Sequence, residues 1–527
     1  MKLVSVDTMR RLDAATIEGA VDSVQAIESL ELMENAGRGI AEAIYEDFFS
    51  AAEKKRAVIF CGKGNNGGDG LVIARYLAEM GAMATVYLVA KRGALSADAR
   101  VNFDRLVDTA VKVHVIDKIG DLPEKLMADL QIDALLGTGT KGAPRGLALD
   151  VIRYINSQDD PVCSVDDPSG LDADTGRLMN EAVIADVTYT LGLPKRGHYF
   201  VPGKEHAGLT RVIDIGIPGE VVDSVDIREN LVTPEMVSSF LPERPADAHK
   251  GTFGKLYLLS GSRGLTGAGA LAAEAAMRSG VGMIRLGCPA ALEPIFEVKL
   301  TETMTHGLPD IGKKGALALR ALGGVLDDLA WARAAALGPG LGLHRETIEL
   351  VRRLIARISV PFALDADGLT AFAEDQSALE GAHPVGVLTP HAGEFERITG
   401  SPAPGDFDEK LAAIRRAATR FNCVLVLKGS PTLIAEPGQS DSIGGQVYLN
   451  PLGNSGMATG GSGDVLTGLI GSFLAQGLRP LDAAIVGAYL HSLAGDLAAG
   501  EIGERSLIAG DLVDYLPRAF EALELGE

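Results

Sequence analysis

The chain has 527 residues, which at about 100 to 200 residues per domain calls for two to four domains, and a globular composition of 46% hydrophobic and 23% charged residues. Its 70 acidic against 49 basic residues leave a formal charge of −21, which excludes a general field able to hold nucleic acid or an anionic membrane. An anionic ligand would need local compensation from backbone amides, helix N-termini, a few Lys or Arg, or a bound cation.

Met1 is followed by an Arg- and Asp-bearing segment rather than an apolar leader, and no apolar run reaches about 18 residues. The expected setting is the cytoplasm, with no membrane. From residue 57 short β-rich runs alternate with amphipathic stretches. Strands are expected at 57–61, 84–89, 111–116, 132–136 and 161–166, and helices at 71–80 and 97–109. This is the βαβ signature of a parallel sheet covered by helices. The rhythm lapses between about Gly216 and Gly251, around Pro218, Pro234, Pro242 and Pro245, which puts a domain boundary near residue 228. It then resumes, with strands expected at 255–259, 283–288, 334–337, 361–364, 385–388 and 423–428 and helices at 345–358, 409–421, 465–476 and 481–499. Cys61, Cys163, Cys288 and Cys423 lie in or beside apolar runs without metal or disulfide spacing, and are expected as buried reduced thiols.

In the first half, residues 62–70 read GKGNNGGDG between a strand and a helix, where glycines let backbone amides approach a phosphate. The tract is not the G-x-G-x-x-G hydride-transfer fingerprint: Asn65 and Asn66 interrupt it, and Asp69 stands where a phosphate would prefer no carboxylate. The loops 133–142 (DALLGTGTKG) and 165–172 (VDDPSGLD) also follow strands, so all three would converge beyond the carboxyl ends of the sheet. Carboxylates and carbonyls gathered there can hold a monovalent cation. Lys141 could pair with a phosphate, serve proton transfer, or be an ordinary surface lysine.

Together with LMENAG at 32–37, these motifs resemble the YjeF N-terminal family, the NAD(P)H-hydrate epimerases. The resemblance implies a Rossmann-like fold, interconversion of the R and S epimers of NAD(P)HX, and bound potassium. It implies hydrate contacts at Asn65, Asn66, Gly67, Gly68 and Asp69, at Gly137, Thr138, Gly139, Thr140, Lys141, Gly142 and Ala143, and at Asp166. Potassium ligands would be Asn66, Asp133 and Ser169. Asp166 and Lys141 are the candidate acid and base, although either could serve binding alone. The family writes VDIPSG where this chain has Asp167, which leaves the charge balance beside the site open.

In the second half, residues 454–464 (NSGMATGGSGD) lead into a helix, offering successive amides as an anion hole and Asp464 as a base or a helix cap. KGSPT at 428–432 and TPHAGE at 389–394 follow strands, as do GPGLG at 338–342, DADG at 365–368 and SGS at 260–262. With HKGTFG at 249–254 and GAGA at 267–270, they resemble the YjeF C-terminal family, the ADP- or ATP-dependent NAD(P)HX dehydratases of ribokinase-like fold. The resemblance implies hydrate contacts at Ala268, Gly340, His391 and Asp464, the alanine being open by a position or two. It implies AMP-moiety contacts at Lys428, Gly429, Ser430, Pro431, Thr432 and Gly463, and Mg2+ accompanying ADP or ATP.

The joint expectation is an α/β protein with a Rossmann-like parallel-sheet epimerase domain at 1–228 and a ribokinase-like dehydratase domain at 229–527. It would take NAD(P)HX and ADP or ATP as ligands and form a homo-oligomer. Phosphorylating the C6 hydroxyl would replace hydroxide, leaving as water of pKa about 15.7, by phosphate of pKa near 6. That gap of roughly ten units bounds the gain at about 14 kcal/mol. Other readings are a small-molecule kinase fused to a dinucleotide-binding regulatory domain, a non-catalytic cofactor sensor and an NAD-dependent dehydrogenase.

Overall fold

The structure is a computed structural model that describes residues 1–21, 25–51, 55–139, 142–380, 386–438 and 444–525, and of Lys313 the backbone. The chain divides into two compact units, residues 2–227 and residues 228–527 with Met1.

The first unit opens with α1 (Val6–Glu18) and α2 (Ser29–Ile44), which precede the expected βα rhythm. Ser5 starts α1 by accepting the Thr8 amide on its hydroxyl. There follow β1 (Arg56–Cys61), α3 (Asn65–Glu79), β2 (Met83–Leu88), α4 (Ala97–Arg105), β3 (Lys112–Val115), β4 (Leu130–Ala134), α5 (Leu147–Asn156), β5 (Val162–Val165) and β6 (Val187–Leu191). Then come α6 (Gly203–Ala207), β7 (Leu209–Ile213) and α7 (Gly219–Asp223). The seven strands are all parallel in the order β3-β2-β1-β4-β5-β6-β7. One face buries Ile59, Ile132 and Val165 with residues of α2, α3 and α4; the other buries Val58 and Phe60 with Val151, Ile152 and Ile155 of α5. The sheet is therefore sandwiched by helices, and its order reverses between β1 and β4, where a crevice opens at the strand ends.

The helix expected from residue 71 begins at Asn65, so the glycine tract is its first turn rather than a loop before it. The turn is wound against its neighbours. A Cβ at Gly67 would stand 2.0 Å from the Gly62 carbonyl oxygen, and one at Gly70 2.6 Å from the Ala134 methyl.

The second unit runs β8 (Glu229–Leu231), α8 (Pro234–Phe240), β9 (Lys255–Leu259), α9 (Thr266–Arg278), β10 (Met283–Pro289), α10 (Glu293–Lys299), β11 (Met304–Leu308), α11 (Leu322–Trp331), β12 (Ala334–Leu337), α12 (Arg345–Ile355), β13 (Phe362–Leu364), α13 (Ala366–Thr370), β14 (Gly386–Leu388), α14 (Ala392–Thr399), α15 (Phe407–Phe421), β15 (Val424–Leu427), β16 (Thr432–Ala435), β17 (Val447–Asn450), α16 (Ser462–Gln476), α17 (Pro480–Ile502) and α18 (Ala509–Leu525). Of the strand expected at 385–388, Val385 lies outside the described residues. The ten-stranded sheet has the order β11-β10-β9-β12-β13-β14-β15-β16-β17-β8, with β16 antiparallel to both neighbours. Its order reverses between β9 and β12. Across that point lies α16, whose Gly471 lets it approach Ala336 and Leu256. The apolar Val465, Leu469, Ile470 and Phe473 of α16 join the core formed by α9, α17, α18 and the sheet.

All four cysteines are buried free thiols. Among the described residues no helix is long and apolar enough to cross a membrane.

Candidate functional sites

The first crevice gathers the ends of β1, β4 and β5. Asp133, fully buried at the end of β4, accepts from the Ser169 hydroxyl at 2.6 Å and the Ser169 amide at 2.8 Å, and from Ser164 and the Leu135 amide. Burial pushes its carboxyl up, and the four donors oppose that rise. Asn66 sits on the first turn of α3 with its amide nitrogen donating to the Leu136 carbonyl at 3.1 Å, while its buried Oδ1 meets no hydrogen-bond donor among the described residues. Gly137 lies against the Asn66 side chain. Three of the expected segments thus meet. Asn65 instead faces solvent and accepts from Ser96 at 2.9 Å. Gly139 and Gly142 are also exposed, and Thr140 and Lys141 lie outside the described residues.

Asp166 ends β5 at φ 64°, a left-handed conformation that costs a non-glycine residue about 1 kcal/mol or more. Its carboxylate accepts from Lys195 Nζ at 2.5 Å and from the Leu191 amide at 3.1 Å. Lys195 is 1% exposed and spends its remaining protons on Thr190 Oγ1 at 3.0 Å and the Leu191 carbonyl at 2.9 Å. Burial pushes the Asp166 carboxyl above the usual range; Lys195 opposes this and Asp167 adds to it. Burial likewise raises Asp13 to about 6 and Asp69 well above the ordinary value, and each of these carboxyls feels Asp166. Sequence reading missed Asp13, Lys195 and His198. Its only handle on Lys195 was a lysine four residues beyond a strand, which has no meaning until the chain returns to Asp166.

A small cavity of about 190 Å³ adjoins this region, lined by Arg10, Gly137, Thr138, Asp167, Asp172 and Asp174 among others. Arg10 donates to the Thr138 carbonyl.

In the second unit Asp464 occupies the first turn of α16, whose cap is Gly461 at φ 99°. That φ favours glycine, while a Cβ there would meet only the movable tip of Leu271, Cδ1 at 2.7 Å, and the Ala509 methyl at 3.0 Å. Burial and the neighbouring Asp365 carboxylate push Asp464 up to about 7, against the pull of Lys428. Lys428 follows β15 and donates to Asp365 Oδ1 at 2.7 Å, while Asp365 Oδ2 accepts from Thr467 of α16 at 2.7 Å. Glu394 lies 3.6 Å from the same ammonium. Burial alone would lower Lys428, but Asp365 and Glu394 outweigh it and the group is raised. Gly463 packs over this pair, its absent Cβ pointing at Lys428 Nζ and Asp365 Oδ2. At the start of α16, His491 of α17 donates from Nε2 to the Ser462 carbonyl at 2.9 Å, and burial lowers its pKa to about 4, so it is neutral.

His391 caps α14, its Nδ1 accepting from the Gly393 and Glu394 amides, and its ring is exposed. Gly340 and Ala268 touch, since a Cβ at Gly340 would lie 3.1 Å from the Ala268 methyl. Gly429 and Ser430 are exposed on the turn between β15 and β16, Pro431 follows a cis peptide bond, and the Thr432 hydroxyl donates to the Gly429 carbonyl. Asp464, Gly463 and Lys428 are therefore brought together with Asp365, whose segment 365–368 was expected at a strand end, and with Thr467, to which sequence reading gave no role.

Two family models match the chain, one described as YjeF-related protein N-terminus over residues 29–197 and one as NAD(P)H-hydrate dehydratase over residues 256–518. A bifunctional NAD(P)H-hydrate repair enzyme of Moorella thermoacetica is 43% identical over 528 residues, covering 99% of this chain and 97% of that protein. One from Thermofilum pendens is 37% identical with the same coverage. Among solved structures, an ADP/ATP-dependent NAD(P)H-hydrate dehydratase from Bacillus subtilis co-crystallised with ATP and Mg2+ is 33% identical, with a TM-score of 0.46, over 56% of this chain and 98% of that one.

Proposed function

The chain belongs to the bifunctional NAD(P)H-hydrate repair enzymes, and from that membership we propose that its first unit interconverts the R and S epimers of NAD(P)HX at Asp166 and its second returns the S epimer to NAD(P)H at Asp464, with ADP or ATP as phosphoryl donor. The observation that carries the second half is Asp464 itself: a carboxyl raised to about 7 at the amide-rich start of α16. Such a group can take a hydroxyl proton near neutral pH.

In that reading the C6 hydroxyl attacks the terminal phosphorus as Asp464 accepts its proton, and the bond to the departing AMP or ADP breaks. The turn from Gly460 to Gly463, in which the Ser462 amide donates to the Thr459 carbonyl, would offer its remaining amides to the transferred phosphoryl group. The C6–O bond then breaks with loss of phosphate and of a C5 proton, leaving the dihydronicotinamide. Lys428, restrained by Asp365, contributes positive charge beside the phosphates, with Gly429, Ser430, Pro431 and Thr432 on the nucleotide side. Ala268, Gly340 and His391 are assigned to the hydrate.

Asp365 and Asp367 are occupied by Lys428, Thr467 and the Gly342 amide, and among the described residues no group of three or more His, Cys, Asp or Glu forms a metal cage. That arrangement fits Mg2+ that would be held chiefly by the nucleotide phosphates rather than by a protein cage, and would supply positive charge to them. In the first unit the unpartnered Asn66 Oδ1, with Ser169 Oγ and Asp133, fits an oxygen-liganded potassium ion. Such an ion supplies positive charge beside the hydrate. Asn65, Gly67, Gly68, Asp69 and residues 137–143 are assigned to the hydrate on the same grounds.

The undisulfided thiols support a reducing cytoplasmic setting, and association into a homo-oligomer is read by sedimentation. The deciding experiment supplies mixed NADHX epimers with ADP or ATP and follows recovery of 340 nm absorbance and phosphate. Asp464→Asn should abolish recovery while epimerisation continues. Recovery undiminished in that variant would overturn the reading, and a stable phosphorylated product would favour a kinase.

A further inference from the structure

Lys195 is a full-length ammonium side chain shut inside the first unit, 29 residues along the chain from Asp166 and 2.5 Å from it in space. Burying a charge is costly unless it is paired and hydrogen-bonded. All three of its protons are committed, to Asp166, Thr190 and the Leu191 carbonyl, so none remains for a ligand. That count separates two roles. Lys195 does not touch the hydrate; it acts on whatever Asp166 does.

Asp166 needs such a partner. Its backbone is held at φ 64°, and three further carboxyls bear on it: Asp13 from α1, Asp69 from α3 and its own neighbour Asp167. Asp167 is engaged by His198. Among the described residues facing Asp166, Lys195 is the cation in direct contact. Without it, four acidic groups would share a buried crevice and Asp166 would hold its proton.

We propose that Lys195 is the positioning residue of the epimerase site, aiming the Asp166 carboxylate and supplying the charge that lets it accept a proton. The proposal rests on the reading of Asp166 as the epimerase base. The Asp166 carboxylate takes the proton of the C6 hydroxyl as the C6–N1 bond breaks, forming the C6=O group, and the bond pair passes to N1 and the conjugated carboxamide system. Rotation presents the other carbonyl face, N1 re-adds to C6, and Asp166 returns the proton to oxygen. Nothing is gained or lost overall. Lys195 keeps its own protons throughout.

The test compares Lys195→Met, Lys195→Arg and Asp166→Asn for R-to-S conversion across pH, with dehydration of purified S epimer on the same samples as the control for protein quality. In Lys195→Met the epimerisation kcat at pH 7 should fall about tenfold or more with little change in KM, and the acid limb of its pH profile should move up by about one unit or more. Lys195→Arg, which keeps the charge, should return the limb toward its original position even where kcat stays low. A limb that stays in place in folded Lys195→Met, or moves equally in both variants, overturns the proposal. Epimerisation surviving in Asp166→Asn is a different failure, that of the site reading itself. Should neither Lys195 variant fold, wild-type protein carrying 15Nζ-labelled lysine reads the same relation. One ammonium resonance should shift with the midpoint of the acid limb, and the absence of any such resonance overturns the proposal.

Discussion

The Nε2 atom of His198 lies 2.6 Å from Asp167 Oδ1, with both side chains closed to solvent. The extra carboxylate at the end of β5, where the family pattern has an apolar residue, is thus answered by an imidazole 31 residues away. Burial alone would raise Asp167, but the His198 bond and charge outweigh it and hold the carboxyl below its ordinary range.

The pair should behave as a unit. His198→Leu leaves a buried carboxylate without its partner and should cost about 3 kcal/mol, whereas His198→Leu with Asp167→Ile should recover most of that loss. Because the folded value of Asp167 is depressed, the contribution is present at neutral pH and fades as pH falls below about 4. Urea unfolding followed in the first unit measures the cycle. A loss in the double variant equal to the sum of the losses in His198→Leu and Asp167→Ile alone would show that the two side chains are not coupled.

With Asp464 as the proposed base, pushed up to about 7 by burial and Asp365, the acid side of the dehydration profile should follow that carboxyl. A base works deprotonated, so kcat/KM, which reports the free enzyme, should fall about tenfold per unit as pH drops below about 7. Replacing Lys428 by Met removes the opposing charge of the adjacent ammonium and should move that limb upward. Phosphate release at fixed low NADHX reads both.

Gly67→Ala puts a Cβ 2.0 Å from the Gly62 carbonyl oxygen, a backbone atom fixed by its own place beside β4. The first turn of α3 would have to shift, at a cost of about 1 to 3 kcal/mol. Epimerisation should be lost while dehydration of the S epimer persists. Thermal unfolding and the two assays on one sample separate these effects.

Asn66→Ala removes the unpartnered Oδ1 from the crevice of Asp133 and Ser169. The potassium concentration for half-maximal epimerisation should rise about tenfold, equivalent to about 1.4 kcal/mol. Exchange of potassium for choline should depress wild-type epimerisation and leave the variant little changed. A wild-type rate indifferent to potassium would remove the cation from this site.

Much of this architecture is local in origin and therefore readable in advance. The strands at β1, β4, β12 and β15 lie within a residue or two of where runs such as AVIFC and VLVL place them, because period and β-branching act over a few neighbouring positions. The start of α3 was displaced from 71 to Asn65 because a glycine tract reads as a loop until a strand packs against it. The glycine-bearing motifs that follow strand tips likewise point to paired crevices, since open parallel sheets bind ligands there.

Chain order alone therefore pointed to two α/β units, to their family and to Asp166 and Asp464 as candidates. What surrounds those two carboxyls was decided only in three dimensions. Lys195 reaches Asp166, His198 reaches Asp167, and Asp365 holds Lys428 and Thr467 together, over separations from 29 to 102 residues. Burial is a property of the assembled core, and a charge acquires its strength from what burial removes and which opposite charge remains. No pattern of neighbours along the chain carries that information.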